Sequence, residues 1–241
     1  DGDVSRWNTS GVKDMSYAFA GLIEADPDVS QWDLSRAANI EGMFSGCTIA
    51  NPDVSAWNTT SVTNMSGVFS FTEKANPDVS QWNTAQVENM SAIFRAALGA
   101  EPDVSDWDTS NVTDMSWIFA SSNIDPDVSG WNTASVIDLS YAFHRNLAVN
   151  PNVSHWDTGN VQNMSGLFEG ARIAQPDMTG WNFSQVNDFT HVFRNNKLNT
   201  EAYSALLVQL AAQSAYENLV FDGGASTYNA LGGIARTQLI E

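Results

Sequence analysis

The sequence predicts an α/β repeat solenoid of eight units, each of roughly 24–25 residues as short solenoid repeats are. The stack spans positions 1–198 and is closed by a helical C-terminal cap over positions 199–241. Three observations carry this. Tryptophan recurs at Trp7, Trp32, Trp57, Trp82, Trp107, Trp131, Trp156 and Trp181, with one constant period that shortens by a single position between Trp107 and Trp131. Three more apolar ranks keep register with it, running from Phe19 to Phe193, from Met15 to Phe189 and from Val12 to Val186. The same heptad is rewritten along the chain, as PDVSQWD at Pro27, PDVSQWN at Pro77, PDVSDWD at Pro102 and PDVSGWN at Pro126. One such unit cannot bury its own apolar side, whereas stacked units share a continuous core.

The tryptophan is expected to be a rung. Neighbouring coils of such a stack lie ~4.8 Å apart. Burying an indole removes roughly 150–250 Å² from water, on the order of 4–6 kcal/mol before entropy is charged.

Asp78 to Pro102 shows the plan of one unit. Val79–Trp82 is expected as a short strand, and Asn83-Thr84 as a turn. From Gln86 to Arg95, apolar residues fall at Val87, Met90, Ile93 and Phe94, which suggests a short helix or 3₁₀ segment with one buried face. Pro102 stops the unit just ahead of the next strand, where no ladder hydrogen bond is required of it.

The tail supplies the closing elements. Thr200 is placed to cap a helix from Glu201 to about Gln213, with Tyr203, Leu206, Leu207 and Leu210 on one face. Asn218–Phe221 is expected to add a final strand, and Asp222-Gly223-Gly224 to turn the chain. Ser226 then caps a second helix carrying Leu231, Ile234, Ala235 and Leu239.

Composition narrows the function. A net charge of −18, from 28 acidic and 10 basic residues, argues against nucleic acid and against anionic membrane surfaces. The single cysteine, Cys47, has no intrachain partner and reads as a small buried hydrophobe. No apolar run approaches the ~20 residues that span a bilayer, so direct membrane insertion is not expected. The chain opens inside a repeat at Asp1-Gly2-Asp3, which suggests a segment of a longer protein.

The polar ranks have structural readings. Asp14, Asn39, Asn64, Asn89, Asp114, Asp138, Asn163 and Asp188 precede the methionine rank, where short side chains bond to nearby backbone. The row Asp3, Asp28, Asp53, Asp78, Asp103, Asp127 and Asp177 is interrupted by Asn152. Carboxylates ~4.8 Å apart repel by roughly 1 kcal/mol in water, so backbone N–H groups and solvent must relieve them. Calcium bridging Asp28, Asp53, Asp78, Asp103 and Asp127 is the alternative, and the row lacks the glycine-rich pattern of calcium-binding rolls. No cofactor is otherwise expected. The threonine rank Thr9, Thr59, Thr84, Thr109, Thr133 and Thr158 raises an ice-binding surface, although Leu34 and Phe183 interrupt it.

The pattern D-V-S-x-W-N-T-S-x-V-T-N-M-S-x-x-F, clearest at Asp53–Phe69 and Asp103–Phe119, resembles the short repeat of BspA-like leucine-rich-repeat surface proteins of bacteria. The resemblance covers residues 3 to about 195, and the tail from Tyr203 to Ile240 is similar to that family's cap. It implies a right-handed leucine-rich-repeat-like coil in a cell-surface or secreted protein used in adhesion and recognition, and no enzyme. One departure matters. The corner residue four before the valine is usually phenylalanine, whereas here it is Ala25, Ala50, Ala75, Ala100, Ile124, Val149 or Ala174.

Binding is then expected at positions that vary between units. One such column holds Arg6, Gln31, Gln81, Asp106 and His155. Another holds Tyr17, Gly42, Gly67, Ala92, Trp117, Tyr141, Gly166 and His191, and places Trp117 and Tyr141 in consecutive units as one aromatic patch. The histidines His144, His155 and His191 lie in different columns and are read as surface residues rather than a metal site. The expected role is a non-catalytic extracellular recognition module that binds protein or glycan. A passive spacer within a large adhesin, calcium-stiffened or not, is the rival.

Overall fold

The computed structural model describes residues 2–213 and 220–240. Successive repeats stack in register. A single parallel bridge joins each unit to the next, from Asp14↔Asn39 through Asn89↔Asp114 to Asn163↔Asp188. These bridges fall on the Asn/Asp rank ahead of the methionines and not on the Val-Ser-x-Trp segment.

That placement corrects the expected local structure. Val79–Trp82 is a β-turn closed by Trp82 N–H donating to Val79 O at 3.1 Å, not a strand. A second turn follows, with Val87 N–H on Thr84 O at 2.9 Å. The stretch Met90–Ala97 is three overlapping turns instead of a helix: Ile93 N–H to Met90 O (3.4 Å), Arg95 N–H to Ala92 O (3.0 Å) and Ala97 N–H to Phe94 O (3.1 Å).

The physical reason lies in the alternate amides. Met90, Ala92, Phe94 and Ala96 donate to Asp114, Ser116, Ile118 and Ala120 of the next unit at 2.8–3.0 Å. A helix would use those N–H groups inside its own turns and leave the neighbouring unit's carbonyls unmet. The cost falls on the backbone of Ala92 and Ala96, with φ of 54° and 53°, the left-handed value at the third residue of a type II turn. Equivalent positions carry glycine in several units, among them Gly42, Gly67, Gly166, Gly21, Gly46 and Gly170.

The core is a double aromatic ladder. Phenylalanine rings from Phe19 to Phe193 follow one another at 5.4–6.0 Å between centroids, nearly parallel. Indoles from Trp57 to Trp181 follow at 6.1–6.5 Å, wider than the ~4.8 Å coil spacing because the parallel rings are offset. Each ladder indole Nε1–H from Trp32 to Trp181 donates to the valine carbonyl of the preceding unit at 3.0–3.2 Å, so every one of these rungs is also latched. The corner residues, Ala50, Ala75 and Val149 among them, are buried and fill their space with small side chains. Cys47 is buried, with Sγ 2.9 Å from Phe19 O, and burial pushes its thiol pKa up.

The threonine rank faces inward. Thr59, Thr84, Thr109, Thr133 and Thr158 are buried, and their hydroxyls donate to a carbonyl of the next unit at 2.9–3.0 Å. Hidden hydroxyls cannot order a water surface, so the ice-binding reading falls.

Two helices follow the stack. Helix α1, Thr200–Ala212, is capped by Asn199, whose side chain accepts from Ala202 N–H, and not by Thr200. It buries Tyr203, Leu206, Leu207 and Leu210. Its C-terminal neighbour Gln213 locks to the last rung: Nε2 donates to Trp181 O at 2.8 Å and Oε1 accepts from Phe183 N–H at 2.7 Å. Phe221 stacks on Phe189 at 5.3 Å and on Tyr203 at 6.1 Å, covering the end of the core. Val220 and Phe221 are not in a strand, and the rest of the expected strand lies outside the described residues. Helix α2, Ala230–Ile240, packs on α1 and is capped by Asn229, whose Oδ1 accepts from Leu231 and Gly232 N–H. Ser226 instead accepts from Leu198 N–H at 2.9 Å, tying the cap to the stack.

Candidate interaction face

The expected aspartate row is a row of local caps. The Oδ1 of Asp3, Asp28, Asp53, Asp78, Asp103, Asp127 and Asp177 accepts both N–H and hydroxyl from the Ser or Thr two residues on. Asn152 does the same with Ser154, which explains why an amide fits the row. These bonds hold the carboxyls of Asp53, Asp103 and Asp127 below the ordinary value, chiefly through the serine hydroxyl. Among the described residues, no group of three or more His, Cys, Asp or Glu side chains converges as a metal site.

Arg6, Gln31, Gln81, Asp106 and His155 are all exposed at the second central position of the Val-Ser-x-Trp turn. Gln31 and Gln81 reach only their own neighbouring serines. Among the described residues, no hydrogen bond, ion pair or ring contact joins this column to the aromatic one.

The aromatic column is built by backbone geometry. Tyr17, Trp117, Tyr141 and His191 all have φ between 56° and 60°, at the turn position that the glycines of other units occupy. Tyr17, Trp117 and Tyr141 each set their ring along the stack, over the next unit. Tyr17 lies across Gly42 and Tyr141 across Gly166, where a Cβ would overlap the ring. Tyr17 Oη donates to Glu41, and that bond raises its pKa. His191 is partly buried and stands apart from the aromatic patch.

Trp117 and Tyr141 do meet, with centroids 4.3 Å apart and planes 15° from parallel. Sequence reasoning missed what surrounds them. The Arg95 guanidinium lies 4.2 Å from the Trp117 centroid and 5.1 Å from that of Phe71. His144 sets its edge against Trp117 at 5.5 Å and Tyr141 at 5.4 Å. Its Nδ1 lies 3.5 Å from Glu169 Oε2 without a hydrogen bond, and Arg194 Nε lies 3.9 Å from Oε1 of the same carboxylate. Burial lowers the His144 pKa most. Glu169 opposes that shift, while Arg145 and Arg95 reinforce it.

Arg95, His144, Glu169 and Arg194 are one column of the repeat, three residues after the aromatic one. Its equivalents elsewhere are Ala20, Ser45, Ser70 and Ala120. The signal was available: a column of small residues that turns ionic at Arg95, His144, Glu169 and Arg194.

No curated protein and no solved structure matches the chain. One family model does, twice in tandem, over residues 1–105 and 97–205, as a periodic chain should. Those two matches take in all of the stacked turns, and the chain belongs to the family described as Mycoplasma protein of unknown function, DUF285.

Proposed function

We propose that this chain is a non-catalytic recognition module: a right-handed, leucine-rich-repeat-like coil of the BspA-like kind, displayed outside the cell within a longer bacterial surface protein. It binds protein or glycan through side chains that break the repeat. The observation that supports this is the cluster Phe71, Arg95, Trp117, Tyr141 and His144. Large aromatic and ionic groups gather on one face at positions where the scaffold needs only alanine, serine or glycine. Phe71 is 49% exposed, an apolar ring left in water in a column that elsewhere holds Gly21, Gly46, Ala96, Ser121, Arg145, Gly170 and Asn195. Interface hot spots are enriched in Trp, Tyr and Arg, and cluster in this manner.

The test is adhesion. Beads carrying the chain are exposed to a panel of extracellular-matrix proteins and to a glycan array, beside beads carrying the Trp117→Ala/Tyr141→Ala double variant. The reading expects a target retained by the first and lost by the second, at unchanged thermal midpoint. Targets retained equally by both would favour the rival, a passive spacer.

A further inference from the structure

Arg95 is held as few surface arginines are. Its guanidinium is sandwiched between the rings of Phe71 and Trp117, which orients the plane and restricts its rotamers. Among the described residues it has no ion pair and donates no side-chain hydrogen bond, in a chain with 28 acidic residues. An oriented guanidinium with free N–H groups is a fork for a carboxylate, which it meets bidentately. Arg145 is the other cation beside Arg95 that acts on His144, against the opposing carboxylate of Glu169. Glu169, the nearby carboxylate, is already paired with Arg194 and faces His144.

The rings decide between a sugar and a peptide. Trp117 is covered by Arg95 on one face and by Tyr141 on the other, and Tyr141 lies across Gly166. Neither Trp117 nor Tyr141 leaves a broad ring face for a pyranose to stack on. Ring edges, the fork and the exposed Phe71 are what a ligand would meet. We infer that this face recognises an acidic peptide segment of a partner protein, with an aspartate or glutamate on the Arg95 fork and an adjacent apolar side chain against Phe71 and the Trp117 edge. This deepens the recognition reading and rests on it.

The test is an NMR titration of the ¹⁵N-labelled chain, following the arginine Nε–Hε resonances. The probes are a capped Glu/Leu/Phe peptide, its Gln/Leu/Phe counterpart, and a glucuronate-containing tetrasaccharide. The expected result is saturable movement of the Arg95 resonance with the glutamate peptide, at least tenfold weaker with the glutamine peptide and with the sugar. Arg95→Gln and Arg95→Lys should both weaken peptide binding about tenfold or more, read from the remaining resonances, with the thermal midpoint unchanged. Lysine keeps the charge but not the fork. No response to the glutamate peptide, an equal response to the glutamine peptide or the sugar, or full binding by Arg95→Gln would each overturn the inference. The two readings fail separately. Adhesion lost with Trp117→Ala/Tyr141→Ala but kept with Arg95→Gln removes only the peptide assignment.

Discussion

The indole Nε1–H of Trp57 donates to the carbonyl of Val29, in the preceding unit, at 3.0 Å. The same carbonyl accepts Trp32 N–H at 3.0 Å, closing the turn of its own unit. One oxygen therefore shapes one unit and clamps the next. This doubled use repeats from Val29 to Val153, and it explains why the rank is tryptophan and not phenylalanine: only the indole brings a buried donor to that carbonyl.

Interior rungs should therefore respond differently from the terminal one. Trp107→Phe loses the bond to Val79 O but keeps most of the apolar contact, and should cost about 1–2 kcal/mol. Trp107→Ala also opens a cavity and should cost roughly 3–5 kcal/mol. Trp7 is 61% exposed, and Trp7→Phe should leave stability within about 0.5 kcal/mol. Urea unfolding followed by circular dichroism checks all three, and equal losses at Trp7 and Trp107 would refute the latch.

The left-handed turn columns make glycine and alanine exchange in opposite senses. Gly166 has φ of 60° and no room for a Cβ beneath the Tyr141 ring. Gly166→Ala should cost about 1–2 kcal/mol through backbone strain and should displace Tyr141 from Trp117. Ala92, at φ of 54°, is the reverse case, and Ala92→Gly should gain up to about 1 kcal/mol. Thermal midpoints test both, and a more stable Gly166→Ala would contradict the geometry.

Histidine 144 predicts a mild acid sensitivity. Its folded pKa lies below 6.5 because burial, with Arg145 and Arg95, disfavours the charged ring despite Glu169. The unfolded chain then binds the proton first, so the folded state is fully favoured above the unfolded pKa and loses stability as pH falls from about 6.5 through the folded value. Arg194 pairs with Glu169, the carboxylate that lies against His144. Melting points between pH 8 and pH 5 should fall in the native chain and fall less in His144→Asn. An identical slope in the two proteins would remove the effect.

The aspartate row makes a calcium melt informative. With each Oδ1 bound by its serine, exchanging excess calcium for a chelator at fixed ionic strength should leave the midpoint unchanged. A rise of several degrees in calcium would assign ions to Asp28, Asp53, Asp78, Asp103 and Asp127. In acid the sign is the carboxylate one: pKa values held below 3.8 give stability that is present above that pH and lost as it falls through the lowered values. Asp103→Asn should keep its cap, as Asn152 does, and melt with the native chain, whereas Asp103→Ala should melt lower.

The sequence by itself determined the period, the apolar ranks, the Asx caps and the two helices that follow the stack, because each is written by residue type and spacing. It also placed Trp117 against Tyr141, since register along a stack makes equal columns neighbours. Only the tertiary structure decided how the backbone runs between ranks. Val87, Met90, Ile93 and Phe94 carry a helical spacing, yet the alternate amides of Met90–Ala96 find their acceptors one unit away. A local pattern cannot register an acceptor a whole repeat distant, so it reports a helix where stacked turns satisfy the backbone. The same reason hid Arg95. Its partners lie in the units on either side, Phe71 before it and Trp117 after it, and in different columns. They become neighbours only when the units are stacked.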